Sequence, residues 1–166
     1  MSEKRTVLHP DSIVPFFINA TNDGQRLFEV VQVPMNKVDP LAIAQGIVKD
    51  YSFGLNSGFT RQICSLVESQ LDDFKKTAIQ HPISEWAEKG SAVHILSLEV
   101  GINTVIYNDM IEWDIFDETA DPDAFARITV KELALPVEFV NVISAQIRWQ
   151  VIRFRAMHCY PDRLRR

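Results

Sequence analysis

Five apolar residues, Phe59, Ile63, Val67, Leu71 and Phe74, recur at positions i, i+4, i+8, i+12 and i+15. Eighty residues later, Phe139, Ile143, Ile147, Val151 and Phe154 reproduce that spacing. This is the period of a single buried helix face, so each run predicts a long amphipathic helix. Upstream the period changes to two. Leu27, Val31 and Val33 fall on one face of an extended segment, and Tyr107, Ile111 and Trp113 do the same in the later part of the chain.

The two stretches are copies of one plan. Asp39-Pro40-Leu41-Ala42-Ile43-Ala44 with Val48-Lys49-Asp50 matches Asp121-Pro122-Asp123-Ala124-Phe125-Ala126 with Val130-Lys131-Glu132 at an offset of 82. The offset falls to 80 after the Gly-rich stretch Ser52 to Gly58, which is longer than its counterpart Ala134 to Glu138. Each copy predicts a strand hairpin followed by two helices. Strand Ile13 to Ile18 turns at Asn22-Asp23-Gly24 and returns to Val33; strand Val93 to Val100 turns near Gly101. Pro15 suits an edge strand. Asp39 and Asp121 cap the first helices, and the proline after each sits where a missing amide costs nothing. The expected class is α+β, two tandem ββαα repeats. The chain divides into an N-terminal arm (1–12), repeat 1 (13–75), a connector (76–92), repeat 2 (93–156) and a basic C-terminal tail (157–166).

With 166 residues, 46% hydrophobic and 23% charged, the chain has the composition of a folded protein of about one ordinary domain. No apolar run approaches the roughly 18 residues of a membrane helix. The start, Met-Ser-Glu-Lys-Arg, lacks a signal-peptide core, and two distant cysteines, Cys64 and Cys159, fit a reducing, intracellular setting. The net charge of −5 conceals an asymmetry: residues 1–144 carry −10, whereas residues 145–166 carry +5. Charge so divided suggests a directed electrostatic contact rather than a diffuse basic surface.

Catalytic chemistry is sparse. There is no GxGxxG and no GxxxxGK[ST], so neither a dinucleotide nor a phosphate loop is encoded. His158-Cys159 offers two of the four ligands a structural zinc needs, and no residue marks itself as a base for Cys64. The acids between Asp109 and Asp123 lack the Gly and terminal Glu of a calcium loop, so a solvated or partner-facing loop is expected. No catalytic residue, metal or cofactor is assigned. Two features point to partners instead. Val142, Trp149 and Ile152 form a second apolar face on the last helix, where repeat 1 has Gln62, Ser69 and Asp72; this face suits either the other repeat or another subunit. Arg148, Arg153, Arg155, Arg163, Arg165 and Arg166 contain no lysine among them, and the guanidinium fork suits carboxylates or phosphates.

Asn22-Asp23-Gly24-Gln25-Arg26-Leu27 running on to Val33-Pro34-Met35, Leu98-Glu99-Val100-Gly101 running on to Ile111-Glu112-Trp113-Asp114, and Phe139-Val140 with Ser144-Ala145-Gln146-Ile147-Arg148 resemble the paired repeats of the sucrose-non-fermenting-five / integrase-interactor family. The resemblance runs from about Ser12 to Tyr160. It implies a nuclear, non-catalytic core subunit of a SWI/SNF-type or RSC-type remodeller, a partner of the complex's ATPase and a regulator of transcription. It also implies that the repeats dock on a SWIRM-domain scaffold subunit, for which the candidates here are Gln62, Ser69, Asp72, Val142, Trp149 and Ile152. In that family an arginine-rich segment engages the histone acidic patch; Arg153, Arg155, Arg163, Arg165 and Arg166 are its candidates here. Longer members carry a winged-helix-like region and a separate arginine-rich helix, so these arginines are expected to replace that helix or to begin a longer segment. The alternative is a stand-alone adaptor binding transcription-factor peptides without nucleosome contact.

Overall fold

The computed structural model describes residues 8–51, 57–78 and 92–159. Two antiparallel hairpins are each followed by two helices, an α+β arrangement of tandem ββαα units. The chain forms two compact units, the first His9–Thr77 and the second carrying the later hairpin and its helices. The first contains β1 (Ile13–Asn22), β2 (Gln25–Pro34), α1 (Pro40–Asp50) and α2 (Ser57–Ala78). The second contains β3 (Val93–Ile102), β4 (Val105–Asp114), α3 (Pro122–Glu132) and α4 (Phe139–Cys159).

Local chemistry sets the turns and helix starts. Asp23 and Gly24 both take positive φ, 49° and 77°, between the paired residues Asn22 and Gln25, the left-handed backbone a two-residue hairpin turn requires. In the second hairpin the turn lies at Asn103 and Thr104, two residues past Gly101, which pairs with Ile106 inside the strand. Asn103 supplies the positive φ, 54°, because its short polar side chain tolerates that region. Asp39 accepts a bond from the Ala42 amide (3.1 Å), and Asp121 accepts one from the Asp123 amide (2.9 Å), each with proline next in the chain. Beyond α3, Ala134 turns left-handed (φ 52°), and the Leu135 amide donates back to the Val130 carbonyl (2.9 Å), closing the helix end.

The helix stripes face the core, Leu71 and Phe154 half-buried and the other members buried. In repeat 1, Phe59, Ile63, Val67 and Phe74 are buried together with Val14, Phe16 and Ile18 of β1, and the rings of Phe16 and Phe74 meet edge to face at 5.7 Å. In repeat 2, Leu96, Leu98, Val100 and Tyr107 pack with Ala126, Val130, Phe139, Ile143, Ile147 and Val151 in one cluster.

Glutamine amides on the second helix of each unit fasten it to the hairpin. Gln70 accepts from the Phe17 amide (3.0 Å) and donates to the Phe17 carbonyl (2.9 Å); Gln150 does the same for Ser97, at 3.0 and 2.9 Å. Repeat 2 adds a second clamp, Gln146 on Glu99, where repeat 1 has Leu66, which carries no amide. Each glutamine amide supplies one donor and one acceptor, so a single side chain satisfies both backbone groups that the first strand turns away from its partner. Replacing Gln150 with Leu keeps the volume but removes both bonds. The expected cost is about 1–3 kcal/mol, with faster exchange of the Ser97 amide by NMR. Unchanged Ser97 exchange would show that the clamp is dispensable.

Candidate protein-interaction surfaces

Of the seven acids from Asp109 to Asp123, Asp109, Asp114, Asp117, Asp121 and Asp123 serve structural tasks. Asp109 caps the Met110 amide (2.8 Å) and accepts from the Tyr107 hydroxyl (3.1 Å). Burial, reinforced by that carboxylate, pushes the Tyr107 phenol up to about 12. Asp114 accepts from the Phe116 amide, and Asp117 takes both the hydroxyl and the amide of Thr119, bonds that hold its carboxyl below the ordinary range. Asp123 receives both arms of the Arg148 guanidinium, at 2.8 and 2.7 Å, and its carboxyl is lowered in the same way. Among the described residues no group of three or more His, Cys, Asp or Glu side chains is placed to hold a metal ion. Cys64 is likewise poorly disposed to attack. Burial, then the Glu68 carboxylate, pushes its thiol up, away from the thiolate a nucleophile needs.

The second apolar face of α4 is divided by burial. Ile152 is buried and Val142 packs on the repeat-2 core, whereas Trp149 is 39% exposed. The Arg153 guanidinium lies 4.5 Å from the Trp149 ring centroid, a cation–π contact on an exposed helix surface, and Met157 one turn on is also exposed. In repeat 1, Gln62 is half-buried, while Ser69 and Asp72 are exposed on α2. Of the candidate arginines, Arg153 is free to meet a partner. Arg155 is engaged within its own repeat: its Nε donates to the Ile115 carbonyl, and its guanidinium lies 5.8 Å from the Phe116 ring centroid. Arg163, Arg165 and Arg166 lie outside the described residues, as does the side-chain arrangement of His158 and Cys159.

One surface carries no mark in the hydrophobic pattern. Leu41, Gln45, Thr60, Arg61, Cys64 and Glu68 line a groove between α1 and α2, with Leu41 51% exposed. At the matching positions of repeat 2, Asp123 and Arg148 form the ion pair and Ser144 and Ala145 are fully buried. The signal is present in the alignment of the repeats, since the offsets of 82 and 80 place Leu41 and Glu68 where repeat 2 has Asp123 and Arg148. One repeat is cross-linked by charge; its sister leaves the same seam open.

Residues 8–161 match the protein family described as SNF5 / SMARCB1 / INI1. Among curated proteins, the SWI/SNF chromatin-remodeling complex subunit SNF5 of Saccharomyces cerevisiae is 31% identical over 156 residues, covering 85% of this chain and 16% of that protein. The chromatin structure-remodeling complex subunit SFH1 of Eremothecium gossypii is 22% identical over 146 residues (86% and 36%). The chromatin structure-remodeling complex protein BSH of Arabidopsis thaliana is 27% identical over 129 residues (75% and 50%). The chain thus spans half or less of the length of these relatives.

Proposed function

This chain belongs to the SNF5 / SMARCB1 / INI1 family, and from that premise we propose that it is a non-catalytic core subunit of an ATP-dependent chromatin-remodelling complex, acting in the nucleus. The observation that carries the proposal is the match over residues 8–161, which takes in both ββαα units, together with relatives named as subunits of such complexes. The subunit docks on a SWIRM-containing scaffold and helps hold the nucleosome against the motor.

Trp149 is the anchor of the docking surface in repeat 2. It is a large, partly exposed aromatic, and Trp is among the residue types that dominate interface energetics. Val142 and Ile152 hold its helix in place from beneath, and Gln62, Ser69 and Asp72 form the repeat-1 counterpart. Because the two faces differ so much in polarity, they meet different surfaces of the scaffold. Trp149→Ala should weaken binding to a SWIRM-containing scaffold at least tenfold by calorimetry, with the unfolding midpoint nearly unchanged. Wild-type affinity in that variant would remove Trp149 from the interface.

A further inference from the structure

The two hairpins differ on the side turned away from their helices. In β1–β2 the outer edge is engaged at Phe28, whose carbonyl accepts from the Tyr51 hydroxyl (3.2 Å), and Val30, two residues on, is buried. In β3–β4 the position equivalent to Tyr51 is Leu133, which has no hydroxyl to offer and is itself 56% exposed. Ile95, Ile106 and Met110 are 63%, 71% and 75% exposed. By strand alternation all three share the face opposite the buried Leu96, Leu98, Val100 and Tyr107.

The backbone edge is open as well. The Gln146 and Gln150 clamps show that Glu99 and Ser97 turn their amides and carbonyls away from β4, so their partners Asn108 and Met110 turn theirs away from β3. The same alternation turns Ile106 and Glu112 outward. Among the described residues β4 pairs with β3 alone. The Met110 amide has a substitute partner, the Asp109 carboxylate beside it in the chain. Charge is one-sided: residues 93–114 contain Glu99, Asp109, Glu112 and Asp114 and no Lys or Arg.

We propose that β4 is a docking edge for an extended basic peptide segment, added as a third strand. Its backbone pairs with the outward groups of Ile106, Asn108, Met110 and Glu112. On the face it shares with Ile106 and Met110 its apolar side chains cover those two residues, and farther along that same face its Lys or Arg side chains meet Glu112 and Asp114. Strand addition takes affinity from main-chain bonds and selectivity from the alternating side chains. A second copy of this chain is the poorer occupant, because it would set an all-acidic hairpin against another.

The test titrates the full chain, labelled with nitrogen-15, with the synthetic peptide Arg-Thr-Lys-Thr-Val-Thr-Thr-Thr-Val, whose odd positions, paired antiparallel to β4, set Arg and Lys beside Asp114 and Glu112 and the two Val beside Met110 and Ile106, and with an analogue carrying Glu for Arg and Lys. The expected result is saturable binding of the basic peptide, with amide shifts concentrated at Ile106, Asn108, Met110 and Glu112, and at least tenfold weaker binding of the acidic one. Asn108→Pro deletes an outward amide without costing a β3–β4 bond, and should weaken binding at least tenfold; Met110→Lys, which leaves the backbone untouched, should do the same. No binding of the basic peptide, equal binding of the two peptides, shifts centred elsewhere, or wild-type affinity in a folded variant would each overturn the proposal. So would dimerisation through this edge in sedimentation equilibrium.

Discussion

Phe139→Ala is expected to destabilise repeat 2 by about 3–5 kcal/mol, a large share of the roughly 5–15 kcal/mol that holds a typical domain folded. Phe139 opens α4, is fully buried, and belongs to the cluster in which both helices meet the hairpin. Truncation removes most of an aromatic side chain from water-free surroundings and leaves a cavity that the rest of that cluster cannot fill without moving α4. The measurement is a urea titration read by tryptophan fluorescence. Of the three tryptophans, Trp113 and Trp149 lie in repeat 2 and Trp86 in the connector, whereas the segment 13–75 has none, so repeat 1 contributes nothing to the signal. Trp113 makes an edge-to-face contact with Phe125 of α3, with ring centroids 5.8 Å apart, and should register loss of that packing directly. A shift in midpoint with unchanged slope is the expected form. Val137→Ala, two residues earlier and 74% exposed, should move it little. Equal midpoints for Phe139→Ala and wild type would remove the residue from the core.

That Phe139 can be placed in the core from sequence, while the hairpin edge cannot, follows from the kind of information each carries. Burial of a helix face repeats with period 3.6 and recurs at an offset of 80, so Phe59 and Phe139 identify one another. Asp39-Pro40 and Asp121-Pro122 mark helix starts by chemistry confined to a few residues, and the structure places both as expected. Glycine is the usual signal for positive φ and marks the second turn only approximately: Gly101 stands two residues from Asn103, which takes it instead. The clamps of Gln70, Gln146 and Gln150 are hidden altogether. A glutamine in a helix looks like a solvated residue, and its backbone partner lies 47 or 53 positions away. The candidate surfaces divide in the same manner. Trp149 stands out as an apolar residue in a polar position of the repeat. Arg155 groups with the tail by composition alone, and its bond to the Ile115 carbonyl distinguishes it from Arg153.

The distinction between those two arginines shapes the second large effect. Substituting Glu at Arg153, Arg163, Arg165 and Arg166 is expected to lower affinity for nucleosomes on the order of a hundredfold at moderate salt, about 2.7 kcal/mol by the usual conversion. Each substitution changes the local charge by two, so the four turn the +5 of residues 145–166 into −3 and replace attraction to an acidic protein surface with repulsion. Arg155 is left intact because it is bound within repeat 2; altering it would confound lost binding with lost stability. Arg153 is exposed, and its stacking on Trp149 contributes roughly 0.5–1 kcal/mol, so the variant should remain folded at 25 °C. Two controls make the result specific. Nucleosomes with a neutralised acidic patch should bind the wild-type chain as weakly as intact nucleosomes bind the variant, and the gap between wild type and variant should narrow as salt rises, because exposed charges are screened. A gap that persists unchanged on neutralised nucleosomes would assign the arginines to another surface, and no gap on intact nucleosomes would exclude them from nucleosome binding.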